Sequence, residues 1–416
     1  MKNTNLLRHS CRVALGRALP TGAVIGCLLA LNPVGATAAD WSYEPRVALS
    51  AEYDDNNRMT TVPGQEVEVY GPKLDARLVM RGSTPRTTFT LTPQVVFTQY
   101  FEGEEDDLEN YYLRMGLNHQ AERMNAFLNA RYTSVVTLGR FFPTGTGEEP
   151  VLGQPDPGEN VPRVAIANRE DRFGISPGIS FDITQRQVVE LGAEYLDVSF
   201  DQQLPGDIDH ENTSLYANYR FRTSEMSTLG LLTTFEKYDP AFFEATDYYS
   251  LSGEWTRDWS KTAKAYVRAG ASFVDSPTTP GGGNSSSSSG FSGGVGAEWT
   301  YQVTRLFADL NQYLDPNSDG RLVNRTQLRL GVARDLSQTT VLTFGLRGIN
   351  DDAPPGNNTF KSQKYVAGDV GFRWRMARVW TLFGGYTYRW KDREDAADTA
   401  TANALNLGVA WQPDRK

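Results

Sequence analysis

Val379-Trp380-Thr381-Leu382-Phe383-Gly384-Gly385-Tyr386-Thr387-Tyr388-Arg389-Trp390 is the stretch that decides the fold of this chain. Trp380, Leu382, Gly384, Tyr386, Tyr388 and Trp390 fall on one side of an extended backbone. Val379, Thr381, Phe383, Gly385, Thr387 and Arg389 fall on the other. The period is two, which makes the segment a strand and excludes a helix. The first side is tipped with Trp and Tyr at both ends, as a strand would be if it met lipid between two water interfaces.

The same alternation recurs outward from this segment. Leu342, Phe344 and Leu346 oppose Thr343, Gly345 and Arg347; Leu215, Ala217, Tyr219 and Phe221 oppose Tyr216, Asn218, Arg220 and Arg222. Eighteen such segments follow one another, from 42–54 to 401–412. Most exceed the roughly 9–11 residues that a tilted strand needs to cross hydrocarbon. Connections after even segments are very short, as at Thr184-Gln185-Arg186 and Ala377-Arg378. Those after odd segments are longer and richer in Gly, Pro, Asp and Asn, as at 138–168, 202–210, 276–288, 351–361 and 392–400. This rhythm predicts an all-β, transmembrane, up-and-down antiparallel β-barrel of about 18 strands, with both termini periplasmic. A soluble propeller or sandwich would also alternate. The aromatic strand ends, the long-short loop pattern and the leader described next favour the membrane reading.

Lys2, Arg8, Arg12 and Arg17 precede an apolar stretch that ends at Ala36-Thr37-Ala38-Ala39. Residues 1–39 read as a cleaved signal peptide and residues 40–416 as one barrel domain of the Gram-negative outer membrane. Val24-Ile25-Gly26-Cys27 loosely fits a lipoprotein cleavage box, but the apolar stretch runs on past the cysteine. Cys11 and Cys27 both fall in the leader, so the remainder needs no disulfide and offers no thiol nucleophile. Removing the four positive leader charges takes the formal net charge from −9 to about −13. That acidity argues against nucleic acid as a partner. The polar mean hydropathy does not exclude a membrane barrel, because only alternate residues meet lipid.

The stretch Tyr43-Glu44-Pro45-Arg46-Val47-Ala48-Leu49-Ser50-Ala51-Glu52-Tyr53-Asp54-Asp55-Asn56 resembles the first strand and first loop of a group of Gram-negative barrels. That group is associated with exopolysaccharide operons and export systems, and its likeness rests chiefly on Tyr53-Asp54-Asp55-Asn56. The resemblance implies a role in secreting or anchoring polysaccharide. The implied partners are outer-membrane lipid, lipopolysaccharide, the barrel-assembly machinery and polysaccharide. The last strand departs from a common barrel ending, since Trp411 is followed by Gln412-Pro413-Asp414-Arg415-Lys416.

Little in the sequence supports catalysis, and no cofactor is implied. His119 and His210 are distant in hairpin order, and no nucleophile-base pair or zinc-ligand spacing accompanies them. Glu102, Glu104, Glu105, Asp106, Asp107 and Glu109 form an acidic loop that reads first as a solvated one. The serine run between Gly281 and Gly290 reads as a mobile low-complexity loop.

The informative residues are charged side chains opposite an apolar face. On the N-terminal half these are Arg114, Arg131, Glu190, Glu194, Arg220, Arg222 and Glu236. On the C-terminal half they are Glu254, Lys264, Arg268, Glu298, Asp309, Arg329, Arg347, Asp369 and Arg373. Facing lipid at the midplane, an Arg or Lys would cost about 2–4 kcal/mol, so these residues are assigned to the lumen. They allow a hydrated pore for a polar or anionic solute, or a salt-bridge network bracing the interior. The longest loop, 138–168, either folds inward as a constriction or caps the barrel. The reading is a non-enzymatic channel, with an adhesive barrel and an envelope enzyme as the alternatives.

Overall fold

The computed structural model describes residues 39–101, 107–137, 168–203, 207–242, 244–279, 282–316, 322–353, 361–394, 396 and 398–413. The leader and nearly all of the 138–168 loop lie outside the described residues, as do Glu102–Asp106 of the acidic loop. Residues 41–416 form one compact unit.

Eighteen strands follow in order: β1 (Asp40–Asp54), β2 (Val69–Ser83), β3 (Thr87–Thr98), β4 (Leu108–Gln120), β5 (Met124–Thr137), β6 (Asn168–Thr184), β7 (Gln187–Phe200), β8 (His210–Ser224), β9 (Ser227–Pro240), β10 (Thr246–Ser260), β11 (Ala263–Thr279), β12 (Gly282–Tyr301), β13 (Thr304–Pro316), β14 (Leu322–Asp335), β15 (Thr340–Asp352), β16 (Gln363–Arg375), β17 (Trp380–Arg393) and β18 (Ala400–Trp411). Each pairs antiparallel with its neighbours in sequence, and β1 pairs with β18, so the sheet closes on itself. The expected count of eighteen is met. Closure leaves no sheet edge, which a bilayer would not tolerate.

The register makes the two faces of the wall explicit. Val47 stands opposite Trp411, and Trp411 opposite Trp380, all on the outer face. The exposed large apolar residues keep one parity along each strand, such as Tyr249, Leu251, Trp255 and Trp259 on β10 and Phe291, Val295, Trp299 and Tyr301 on β12. Trp259, Trp299, Tyr301, Trp374 and Trp380 gather within a few residues of the short turns. From Tyr249 to Trp259 the outer face of β10 advances ten residues. At a rise of about 3.3 Å per residue and a tilt of roughly 40°, that spans about 25 Å, the height of a lipid-facing band. Exposed leucines such as Leu215, Leu231, Leu251 and Leu407 form part of the outer coat of the cylinder.

Short turns such as 185–186, 225–226 and 261–262 gather at one end, together with the start of β1 and the end of β18. Side-chain oxygens fix several of these turns: Thr184 Oγ1 accepts from the Arg186 amide, and Ser260 Oγ from the Thr262 amide.

Two connections depart from the sequence expectation. The serine run is not a loop: Ser285 to Ser289 pair in register with Pro277 to Phe273, extending the β11–β12 hairpin beyond the outer apolar band. A backbone ladder needs no side-chain preference. The second departure is the first loop, residues 55–68, which turns into the barrel.

Candidate functional site

By strand parity all sixteen charged residues singled out above fall on the face opposite the exposed apolar side chains. Eight of them form four ion pairs. Glu254 and Arg268 are cross-strand neighbours on β10 and β11, with Arg268 Nε 2.9 Å from the Glu254 carboxylate. Arg220 on β8 donates to Glu190 on β7 at 2.9 Å, and the Tyr216 hydroxyl donates to the same carboxylate at 3.3 Å. Arg329 on β14 donates to Asp309 on β13 at 3.1 Å. Asp309 also accepts from the Tyr266 hydroxyl at 2.9 Å, two strands away.

The fourth pair depends on a glycine. Arg131 on β5 stands opposite Arg114 on β4, a like-charge pair, and turns the other way. It crosses β6 to reach Glu194 on β7 at 3.1 Å. Its path lies over Gly174, where an added Cβ would sit 2.9 Å from Arg131 Nε. Glycine at that position leaves room for the Arg131 side chain on its way to Glu194, and a Cβ there would make it shift.

The other eight are spread along the wall. Glu236 on β9 accepts from Asn212 Nδ2 at 2.9 Å. Lys264 and Glu298 stand opposite each other on β11 and β12, exposed near a short turn. Arg222 is exposed at the end of β8. Asp369 on β16 feels the charge of Arg347 on β15. Arg373 on β16 acts on Arg46 of β1, as does Arg77 on β2, while Arg46 is paired with Asp75 at 3.3 Å. Sequence reasoning passed over Arg46, Arg77 and Asp75, although the same parity rule would have found them. The result is a patch in which Arg46, under the charge of Arg77 and Arg373, is held by Asp75, which Gln94 also contacts at 2.9 Å.

Towards the long loops the interior closes in. Arg325 on β14 is only 1 % exposed and holds Asp351 of β15 through two parallel bonds, of 2.7 Å and 2.9 Å. It also pairs with Asp315 of β13. Arg172 of β6, paired with Glu170 at 2.8 Å, acts electrostatically on Asp315, although β6 and β13 stand on nearly opposite walls. Sequence analysis missed this buried set because residues near strand ends carry no apolar alternation to flag them.

The first loop covers part of the same zone. Met59 is 1 % exposed and packs with Ile349, Tyr365, Ala367, Ala400 and Ala402, all on the inner faces of β15, β16 and β18. Asp54 pairs with Arg389 across β18. Asp55 accepts from both the backbone and side-chain nitrogens of Asn403 at 2.7 Å. Asn56 donates to the Thr401 carbonyl at 3.0 Å, and its Oδ1 accepts from the Thr60 amide at 3.2 Å. The residues that carried the family resemblance thus clamp this loop to the wall.

The histidines are apart and each is engaged. His119 shares a 2.9 Å hydrogen bond with Thr87 on the outer face near a short turn. His210 is buried against Tyr238, its Nδ1 2.9 Å from the Ile208 carbonyl. Asp207, in the loop before β8, is held by Asn168 Nδ2 at 2.8 Å. Burial raises its carboxyl above the ordinary range against the lowering effect of that amide, and the charge of Glu170 adds to the rise.

No family model matches the chain, and no curated protein matches it. Solved barrels of similar architecture include OccK2 (OpdF) of Pseudomonas aeruginosa, with a TM-score of 0.49 at 11% identity over 90% of this chain and 98% of that one. A BenF-like porin of Pseudomonas fluorescens Pf-5 gives a TM-score of 0.46 at 8% identity, covering 89% of this chain and 98% of its own. The FrpB iron transporter of Neisseria meningitidis gives 0.45 at 9% identity, covering 91% and 82%. At these identities the likeness is one of architecture.

Proposed function

We propose that this chain is a passive outer-membrane channel for small polar and anionic solutes, with its short turns and both termini towards the periplasm. The observation that carries the reading is the division of the wall. Apolar side chains coat the outside of a closed eighteen-strand cylinder, and ionised ones face its bore. Eighteen strands enclose enough space for an aqueous path. Arg and Lys are costly beside lipid but supply binding and selectivity beside water.

The preference for anions rests on Arg46, Arg77 and Arg373, whose positive charges act on one another around the Arg46–Asp75 pair. The four ion pairs elsewhere are internally neutralised and fix side chains in place, so they add little net field. Towards the long loops the wall carries the buried Arg325, Asp315 and Asp351 cluster, whose charges are paired among themselves. The enzyme alternative gains no support, because the two described histidines are separate and already engaged. The polysaccharide connection loses its main support, because Asp54, Asp55 and Asn56 have a structural task in the wall.

Purified protein in planar bilayers under a salt gradient tests this. The wild type should conduct with a reversal potential favouring anions. Replacing Arg46, Arg77 and Arg373 together by Ser should move that potential towards cations. Silent barrels would refute the channel, and an unchanged potential would refute the role of the patch.

A further inference from the structure

We propose that residues 55–68 are an inward-folded latch that sets the size limit of the bore, with Met59 as its bolt and Asn56 as its hinge pin. The inference rests on the channel reading and deepens it. Connections between strands ordinarily run over the surface, where their backbone meets water. This one runs from β1 to β2, which are neighbours, yet it reaches back over β18 and β16 to β15. A direct connection would need only a few residues, so the excess length serves the excursion.

The loop is built to stay inside. Met59 lies in the left-handed region, at φ 49°, where a non-glycine residue is disfavoured. Such a conformation persists where surrounding contacts over-determine it. Those contacts are present. Apolar burial among Tyr365, Ile349 and three alanines holds the side chain. The Met59 amide donates to the Asn56 carbonyl at 3.1 Å, and the Asn57 amide donates to the Val67 carbonyl at 2.9 Å. Asn57 is itself fully buried. Gly64, at φ 79°, returns the chain outward through exposed residues around Val62. The inner-face alanines at 367, 400 and 402 matter as much as the methionine. Larger residues there would fill the seat that Met59 takes. An unbranched thioether suits such an irregular seat.

The fixed ends of the loop and its buried middle make two states available. In one, Met59 is seated and the bore is narrowed along the β15–β18 wall. In the other, Met59 is withdrawn and the bore is wider. Replacement of Met59 by aspartate favours the second, because it removes the apolar contacts with Ile349 and the three alanines that hold the loop in its seat.

The test compares wild type, Met59→Asp, Asn56→Ala and a set of double-cysteine variants in the full chain. The latter place Met59→Cys with Cys at Ala367, Ala400 or Ala402 in turn, since the bridging geometry demands close Cα atoms. Single-channel conductance and liposome permeation by neutral sugars of increasing size are the readouts. Met59→Asp and Asn56→Ala should raise conductance about twofold and admit larger sugars. An oxidised double-cysteine barrel should match wild type, and reduction should move it towards the unlatched variants, which guards against a mere folding defect. Conducting wild type with unchanged size limits in every variant would overturn the latch and leave the channel standing. Silence in all of them would overturn the channel and the latch with it.

Discussion

Replacing Arg325 by Met should cost the barrel roughly 3–5 kcal/mol, because it removes one partner from a buried charge cluster. The side chains of Arg325 and Asp351 are each 1 % exposed, and Asp315 is 19 % exposed. Arg325 gives both carboxylates their cation: Nε and a terminal nitrogen to Asp351, the other terminal nitrogen to Asp315. Methionine fills much of the same space but leaves two carboxylates desolvated and facing each other. At about 2.1 cal/mol/K per residue over roughly 370 residues, unfolding entropy is near 0.8 kcal/mol/K, so the expected fall in melting temperature is roughly 4–6 °C. Heating detergent-folded protein and following the loss of its compact electrophoretic mobility measures this. Two controls separate charge from packing. Acidification should recover much of the loss, by neutralising the stranded carboxylates. The triple variant Arg325→Met, Asp315→Leu, Asp351→Leu should lie close to wild type, since an apolar cluster can replace a buried ionic one. A single variant melting within 1 °C of wild type at neutral pH, or a triple variant as weak as the single, would refute the reasoning.

Neighbouring leucines on β9 give a second test. Leu231 is 51 % exposed on the outer face, and Leu232 faces inward. Leu231→Arg should lose up to about 2–4 kcal/mol of stability in lipid vesicles, whereas Leu232→Arg should lose far less; equal losses would contradict the assignment of faces. Gly174→Val should separate Arg131 from Glu194 and destabilise the barrel, while adding Arg131→Ala to it should give back part of that loss by clearing the crowded space. Asp207 supplies a pH test. Its carboxyl is raised in the folded state, so the folded form binds the proton more tightly than the unfolded one. Its contribution is therefore complete below the ordinary carboxylate value and is lost as pH rises through the raised one. Limited proteolysis of the segment before β8 should speed up across that window in wild type, and Asp207→Asn should flatten the dependence.

The wall of this barrel was legible because the two faces of each strand carry different side chains, apolar on one and polar or charged on the other. Val379 to Trp390 alternates because one side of its strand turns outward and the other inward, and the same rule located every strand. The same parity put the charges opposite the apolar face, including the Glu254–Arg268 neighbours. What parity does not carry is which charges meet. Arg131 could have been paired with any inward acid, and only the space over Gly174 on a third strand selects Glu194. Loop paths were less legible still. Met59 sits in a run of polar and turn-forming residues, Asp55-Asn56-Asn57-Arg58, where one large apolar side chain was the sole hint of an inward anchor. The serine run misled for the opposite reason: its composition resembles a linker, but a hairpin ladder uses backbone groups that composition does not describe. Arg325, Asp315 and Asp351 lie near strand ends, outside the apolar band whose rhythm organised the reading.

Cysteine scanning along β8, from Thr213 to Arg222, probes the division between lipid and water most directly. Single cysteines would be placed in a background lacking Cys11 and Cys27, reconstituted in vesicles, and exposed to a charged, membrane-impermeant thiol reagent. Reaction should alternate, fast at Ser214, Asn218, Arg220 and Arg222 and slow at Leu215, Ala217, Tyr219 and Phe221. Reagent attached at the fast positions should also reduce ion flow. Reaction at the leucine and tyrosine positions, with none at the others, would show a water-facing exterior and a sealed interior.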